Sequence, residues 1–136
     1  MGIYYPPPSK IQNKLLFLRY NNYAMKITFK DKDLEKCATN AKYGLKKLGA
    51  KRFAIFLKRL GDLQFVENLN DIRNYAGKFH ELIGTRKGQW ACDLDQPYRL
   101  IFEPHENPIP TDKDGRYLWI EIKGVEIIEI TNYHGK

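Results

Sequence analysis

The pattern of hydrophobic and polar residues predicts a strand followed by helices in the first half of the chain. Residues 26–30 (KITFK) alternate with period two and place Ile27 and Phe29 on one face, as a half-buried strand does. Residues 31–40 (DKDLEKCATN) carry acids at their beginning, where the N-terminus of a helix favours negative charge. Across residues 41–60 apolar side chains recur at near-helical spacing, which predicts one longer helix.

The opposite side of that longer helix is basic. Its cations are Lys47, Lys51, Arg52, Lys58 and Arg59. Such a face is either a solvated helix surface or a surface that binds an acidic partner, and the sequence leaves both interpretations open.

After an irregular segment at residues 61–78, the spacing of the apolar residues changes from helical to alternating, with period two, and this change predicts strands. KFHEL, WACDL and YRLIF are the candidates, joined by the glycine-flanked turn GTRKGQ and the turn DQP. Their alternation assigns six side chains to the core: Trp90, Cys92, Leu94, Tyr98, Leu100 and Phe102. A loop rich in proline and acids follows at residues 103–116, and we expect its His105 at the surface. Residues 117–134 predict the last strand, with a bulge at Gly124 where the alternation changes phase.

Elements in this order predict an α+β fold, in which an N-terminal strand and a helical hairpin pack on one face of a curved antiparallel sheet. If Tyr98 and Leu100 point into the core, Arg99 between them points to the other, open face. A cation in the middle of an open sheet face is either an ordinary surface residue or part of a binding site.

Composition narrows the class of protein. With 43% hydrophobic residues, the 136-residue chain can bury the core of one domain. Two cysteines, Cys37 and Cys92, are far apart in sequence and fit free thiols in a reducing compartment, so we expect a cytoplasmic protein. No window approaches 18 apolar residues, which argues against a membrane span. The formal charge of +7 is compatible with a phosphate-bearing partner without requiring one.

The motifs of the second half, taken in order, resemble the HigB branch of the RelE/ParE toxin superfamily, the plasmid maintenance system killer proteins. The family pattern is a Gly-x-Arg-x-Gly turn and an aromatic residue, a strand with an aromatic-Arg pair and a phenylalanine, and a C-terminal Asp-Tyr-His or close variant. Here the pattern falls on Gly84, Arg86, Gly88, Trp90, Tyr98, Arg99, Phe102, Asn132, Tyr133 and His134. The resemblance covers residues 25–136, and we expect residues 1–24 to be a peripheral extension.

The resemblance implies a RelE-like fold and the activity of a toxin. Toxins of this branch are ribosome-dependent mRNA endoribonucleases that inhibit translation, and a cognate helix-turn-helix antitoxin, HigA-like, neutralises them. The implied partners are therefore the antitoxin, the ribosome and mRNA, with no membrane. The alternative is a non-nuclease member of the superfamily: a ParE-like gyrase inhibitor, or a degenerate protein that only binds its antitoxin.

Metal-free RNA cleavage needs an acid and a base near the scissile phosphate, and cations to stabilise the charge that develops there. His134 is the first candidate acid or base, because an imidazole titrates near neutral pH. Tyr133 is a candidate to stack on a base or donate to the phosphate, and Arg99 and Arg86 to clamp it. His80 is either a second acid or base, or a structural histidine.

The sequence departs from the family at Ile83, where many members have a lysine that contributes to catalysis. Either Lys78, Lys87 or Arg73 supplies the missing charge, or the protein cleaves weakly. We expect these three cations and Trp90 to bind RNA, since aromatic stacking of unpaired bases is the usual way in which proteins read RNA. The sequence has no metal-ligand spacing and no phosphate-binding glycine loop, so no cofactor and no metal are expected.

Overall fold

A computed structural model describes residues 25–132 and shows a mixed α+β fold, as the order of patterns predicts. The elements are β1 (Lys26–Phe29), α1 (Lys32–Thr39), α2 (Ala41–Leu48), α3 (Ala50–Phe65), β2 (His80–Glu81), β3 (Trp90–Asp93), β4 (Tyr98–Pro104) and β5 (Gly124–Asn132). The predicted extension at residues 1–24 and the candidate residues Tyr133 and His134 lie outside the described residues.

The five strands form one sheet in the order β1-β5-β4-β3-β2. The pairs β2·β3, β3·β4 and β4·β5 are antiparallel, as predicted. The pair β1·β5 is parallel, with Ile27 opposite Val125, so the sheet is mostly antiparallel with one parallel pair that the sequence did not predict. A parallel pair requires a crossover connection, and here the three helices lie on the chain between its two strands.

The predicted helix at residues 41–60 is wrong in its boundaries. Helix α2 ends at Gly49, whose φ of 83° lies in the left-handed region, and α3 then continues to Phe65. Apolar spacing runs on through Gly49, so periodicity alone does not reveal this break. Asn40 separates α1 from α2 by a different device: its backbone is extended, with φ −135°, its N–H donates to the Lys36 carbonyl, and its side chain accepts from the N–H of Tyr43.

The predicted irregular segment after α3 contains a 3₁₀ turn, Leu69–Asn74, in which Leu69 and Ile72 are fully buried. Leu69 N donates to the carbonyl of Ile122 at 3.2 Å, just after the 3₁₀ turn at Trp119–Glu121. The turn at Trp119–Glu121 occupies the first part of the predicted last strand. Strand β5 therefore begins only at Gly124.

The core lies between the helices and one face of the sheet. The alternation in WACDL predicts this face correctly, because Trp90, Cys92 and Leu94 are all buried. Burying each large apolar side chain contributes about 1.5–3 kcal/mol. The core includes Met25, Phe56, Leu60, Leu63, Leu69, Ile72, Trp90, Leu100, Phe102, Ile122 and Ile127.

The bulge in the last strand lies at Ile128, not at Gly124. Ile101 pairs with Glu129 while the next residue, Phe102, pairs with Ile127, so Ile128 is the extra residue. None of the helices in the described part of the chain is long and apolar enough to cross a membrane.

Candidate functional site: two cavities on the open sheet face

The strand register defines an open face of the sheet, opposite the face that packs against the helices. Trp90 is a core residue, so its neighbour Ala91 and the cross-strand partner His80 face the other way. Arg99 shares this open face with its partners Asp93 and Thr131, as the alternation predicts.

The first cavity on the open face has a volume of about 280 Å³ and is lined by Lys78, His80, Asp93, Gln96 and Arg99. Three of the sequence-predicted site residues meet here: His80, Arg99 and Lys78. Asp93 and Gln96 are additional lining residues that the sequence reasoning did not select. The alternation in WACDL places Asp93 on the open face, whereas Gln96 lies in the β3–β4 turn and carries no comparable signal.

The geometry around His80 fixes which of its ring nitrogens carries a proton. Nδ1 lies 2.6 Å from the carbonyl oxygen of Lys78, and a carbonyl oxygen only accepts hydrogen bonds. Nδ1 therefore carries a hydrogen and donates it. In the neutral ring Nε2 then keeps its lone pair, and this is the arrangement that a general base requires.

The backbone that presents Lys78 is unusual. Lys78 has φ 53° and is the one described residue other than glycine with positive φ, while the preceding Gly77 has φ 112°. A hydrogen bond of 2.7 Å from Asp93 N to the Gly77 carbonyl ties this segment to β3. Strained conformations of this kind cost on the order of 1–3 kcal/mol and gather at functional sites.

The second cavity on the open face has a volume of about 490 Å³ and contains Arg86 and Lys87. Arg86 Nη2 is ion-paired with Glu129, and its Nη1 donates to Gln89 Oε1 at 2.7 Å. The ammonium of Lys87 lies 5.6 Å from the centre of the Tyr117 ring. The predicted clamp formed by Arg99 and Arg86 is therefore divided, with one arginine in each cavity.

Trp90 and Arg73 line neither cavity. Burial corrects the prediction that Trp90 binds RNA, whereas Arg73 is exposed and its RNA contact stays a prediction. The Trp90 ring is fully buried and packs edge-on against Trp119 at 5.3 Å, so it offers no surface to a base. The Arg73 guanidinium lies 4.6 Å over the Trp90 ring and donates to Glu81 at 2.7 Å. Both residues stabilise the packing beneath β2.

His105 is exposed, as predicted, and makes specific contacts. Its Nε2 lies 2.7 Å from the hydroxyl of Thr28, and it borders the second cavity. A Cβ atom on Gly124 would come within 2.3 Å of its Nδ1, so the ring packs directly on that glycine.

Charge is distributed unevenly along the described chain. Residues 25–61 contain eleven cations and three carboxylates, a net charge of +8, whereas residues 62–132 contain eight cations and thirteen carboxylates, a net charge of −5. The helical half is thus basic and the half that contributes β2 to β5 is acidic. Within residues 25–132 no group of three or more His, Cys, Asp or Glu side chains is arranged to hold a metal ion.

No protein-family model matches this chain, and a search of the curated proteins finds no match. The function is therefore inferred from the resemblance of the motifs and from the geometry of the two cavities.

Proposed function

We propose that this protein is the toxin of a type II toxin–antitoxin module, a RelE-like, metal-independent endoribonuclease of the HigB type that cleaves ribosome-bound mRNA in the cytoplasm. The observation that carries the proposal is the convergence of His80, Lys78 and Arg99 in the first cavity. An acid–base group beside two cations is the set that phosphodiester cleavage requires. The motif order of the RelE/ParE superfamily supports the same conclusion independently.

In the proposed reaction the ribose 2′-hydroxyl attacks the adjacent phosphate and the 5′-oxygen of the next nucleotide departs. His80 Nε2 accepts the 2′-hydroxyl proton, while Arg99 and Lys78 stabilise the charge that develops on the phosphate oxygens. His134 protonates the departing oxygen, a role that comes from the family resemblance. The described part of β5 ends at Asn132, which pairs with Tyr98, the neighbour of Arg99.

The first cavity also indicates which cation replaces the family lysine. Ile83 stands at that position and is 87% exposed. Of the three candidates, Lys87 belongs to the second cavity and Arg73 packs on Trp90, whereas Lys78 lines the first cavity beside His80. We therefore assign the compensating charge to Lys78.

The uneven charge supports ribosomal RNA as the larger partner. A half with net charge +8 attracts a polyanion over a distance set by the ionic strength, so docking is expected to weaken with added salt. A helix-turn-helix antitoxin is the proposed protein partner, and it would neutralise the toxin.

Primer extension on cellular mRNA after brief induction tests the proposal. The wild-type protein should cut inside translated codons, and both His80→Ala and His134→Ala should remove or strongly reduce these cuts. The third histidine offers a matched control, because His105 borders the second cavity, and His105→Ala should cleave like the wild type. Equal cleavage by all three variants would refute the assigned site.

A second candidate is a superfamily member that only binds, as a gyrase inhibitor or as an inactive antitoxin ligand. The observation in its favour is the net charge of −5 on residues 62–132, the half of the described chain that carries both cavities, because negative charge disfavours RNA binding. The order of events after induction separates the two candidates. Loss of translation comes first for the nuclease, and the DNA damage response comes first for a gyrase inhibitor.

A further inference from the structure

Two arginines of helix α3, Arg52 and Arg59, reach the backbone that forms the first cavity. They are seven residues apart, two helical turns, and so lie on one stripe of the helix. The sequence placed both among the cations of a solvated or partner-binding face. Their contacts are instead with the segments on which Lys78, Asp93, Gln96 and Arg99 are carried.

Arg52 holds the β3–β4 turn. Its Nε and Nη2 donate to the two carboxylate oxygens of Asp95 at 2.8 and 3.1 Å, and its guanidinium lies 3.6 Å over the Tyr98 ring. The Asp95 carbonyl accepts from Tyr98 N at 2.7 Å, which closes the turn. Gln96 lies inside this turn and Arg99 directly follows it, so one bidentate contact sets the position of two lining residues.

Arg59 holds the other side of the cavity. Its Nε donates to the Asp93 carbonyl at 2.7 Å, and its guanidinium packs against Gly77, where an added Cβ would lie 2.6 Å from Nε. The Asp93 N–H donates to the Gly77 carbonyl. Arg59 thereby joins β3 to the left-handed segment that carries Lys78 and, two residues later, His80.

We infer that Arg52 and Arg59 are positioning residues, which together fix the relative placement of the Arg99 side and the Lys78–His80 side of the first cavity. This inference rests on the proposed function for its catalytic consequence, but the positioning itself follows from the contacts. Because neither arginine lines the cavity, their loss should displace the reacting groups without removing one. Arg52 and Asp95 are 24% and 16% exposed, so water screens their contact only partly.

The decisive experiment measures mRNA cleavage in a reconstituted translation reaction with Arg52→Met and Arg59→Met. Each should lower kcat by about 10- to 100-fold, the effect of a displacement near 1 Å, and leave the KM for ribosomes unchanged. The matched controls are the preceding lysines of the same helix, in Lys51→Met and Lys58→Met, which should retain kcat. A rise in KM with unchanged kcat would overturn the inference and make the two arginines part of a docking surface.

Two further measurements keep the test independent of folding and of the proposed function. Arg52→Lys and Arg59→Lys retain the charge and should recover part of kcat, and they replace the methionine variants if those do not fold. NMR spectra of each variant should show shifted His80 ring and Lys78 amide resonances, whereas the lysine controls should not. If the wild type does not cleave RNA, the proposed function fails and these shifts alone decide the positioning. Unshifted resonances would refute it.

Discussion

The two cavities on the open sheet face have similar ingredients and opposite balances of charge. The first is lined by two cations, one carboxylate and a histidine, and the second by two cations, three carboxylates and a histidine. In the second cavity Arg86 is neutralised by Glu129. In the first cavity Lys78 makes no ion pair with any of the described residues.

Under the proposed function, the comparison favours the smaller cavity over the larger one. In the larger cavity the Arg86 guanidinium is engaged by Glu129 and Gln89, so it has less left to offer a phosphate. The smaller cavity combines a cation held on strained backbone with a histidine of defined tautomer. The two cavities are separated by the cross-strand pair Ala91–Ile101, whose side chains are on the open face and are buried.

The largest expected effect on mRNA cleavage is that of Arg99, which lies in the first cavity, and it should exceed that of Arg86 in the second. Arg99→Ala should lower the rate of mRNA cleavage by about 10²–10³-fold, the usual cost of losing one donor to a developing charge. Arg86→Ala should reduce it far less, because its guanidinium is committed to Glu129 and Gln89. Single-turnover cleavage of ribosome-bound mRNA measures both. Equal losses would mean that the two cavities act as one site.

A smaller effect is expected for the two lysines. Lys78→Asn removes the positive charge of this side chain. Asparagine tolerates the positive φ of position 78, so the fold should be retained. We expect cleavage to fall by about tenfold, equivalent to the loss of roughly 1.4 kcal/mol of transition-state stabilisation. Lys87→Asn, in the second cavity, is the comparison variant and should lower cleavage less in the same assay. A stronger defect in Lys87→Asn than in Lys78→Asn would move the catalytic cation to the GTRKG turn.

The contact between Arg52 and Asp95, which holds the β3–β4 turn, makes the stability of the protein depend on acid pH. The Arg52 guanidinium, hydrogen-bonded to Asp95, lowers the pKa of that carboxyl below its ordinary value of 3.8. The unfolded chain therefore binds this proton more readily than the folded one. The resulting stabilisation is complete above the unfolded pKa and is lost as pH falls through the folded pKa.

Urea unfolding between about pH 2 and pH 7, a range that includes the ordinary pKa of an aspartate, tests how the stability depends on the protonation of Asp95. Asp95→Asn should show a weaker loss of stability on acidification than the wild type. Asp114→Asn removes a carboxylate that is 59% exposed and should leave the acid dependence nearly unchanged. A parallel profile for Asp95→Asn and the wild type would show that the Arg52–Asp95 contact contributes nothing to folding.

The smallest effect is expected in the second cavity. Glu103 and Glu126 are directly opposite on β4 and β5, and like charges in that arrangement are unfavourable. Glu126→Gln should therefore raise the free energy of unfolding by about 0.2–1 kcal/mol at low salt. The gain should shrink as salt screens the repulsion, and Glu121→Gln provides an exposed control. A loss of stability would indicate that Glu126 makes a favourable contact with its surroundings.

Much of the fold follows from local pattern, because alternation reports which face of a strand is buried. It correctly places Trp90 in the core and Arg99 on the open face. The interpretation of Trp90 as an RNA-binding residue conflicted with that pattern, and burial decides against it. The break at Gly49 was missed because the apolar period continues through it.

The candidate site was predictable only in part, since it depends on contacts between distant residues. Arg86 and Glu129 are 43 positions apart, as are Arg52 and Asp95, and no local pattern indicates either pairing. The sequence therefore selected His80, Lys78 and Arg99 as candidates without showing that they share a cavity. It also offered no reason to separate Arg86 from them.

The extra residue at Ile128 changes which positions of β5 face the core: odd-numbered residues do so before the bulge and even-numbered residues after it. Ahead of it, Val125 and Ile127 point to the core, and behind it Ile130 does so, opposite Leu100. Deleting one residue at the bulge would restore regular alternation and leave the inner and outer sides of Glu129–Asn132 in place. Deleting one residue from the regular part of the strand, with the bulge retained, would exchange the two sides on one flank of the deletion. A genetic screen of single-residue deletions across β5 should therefore find the highest survival for deletions at the bulge.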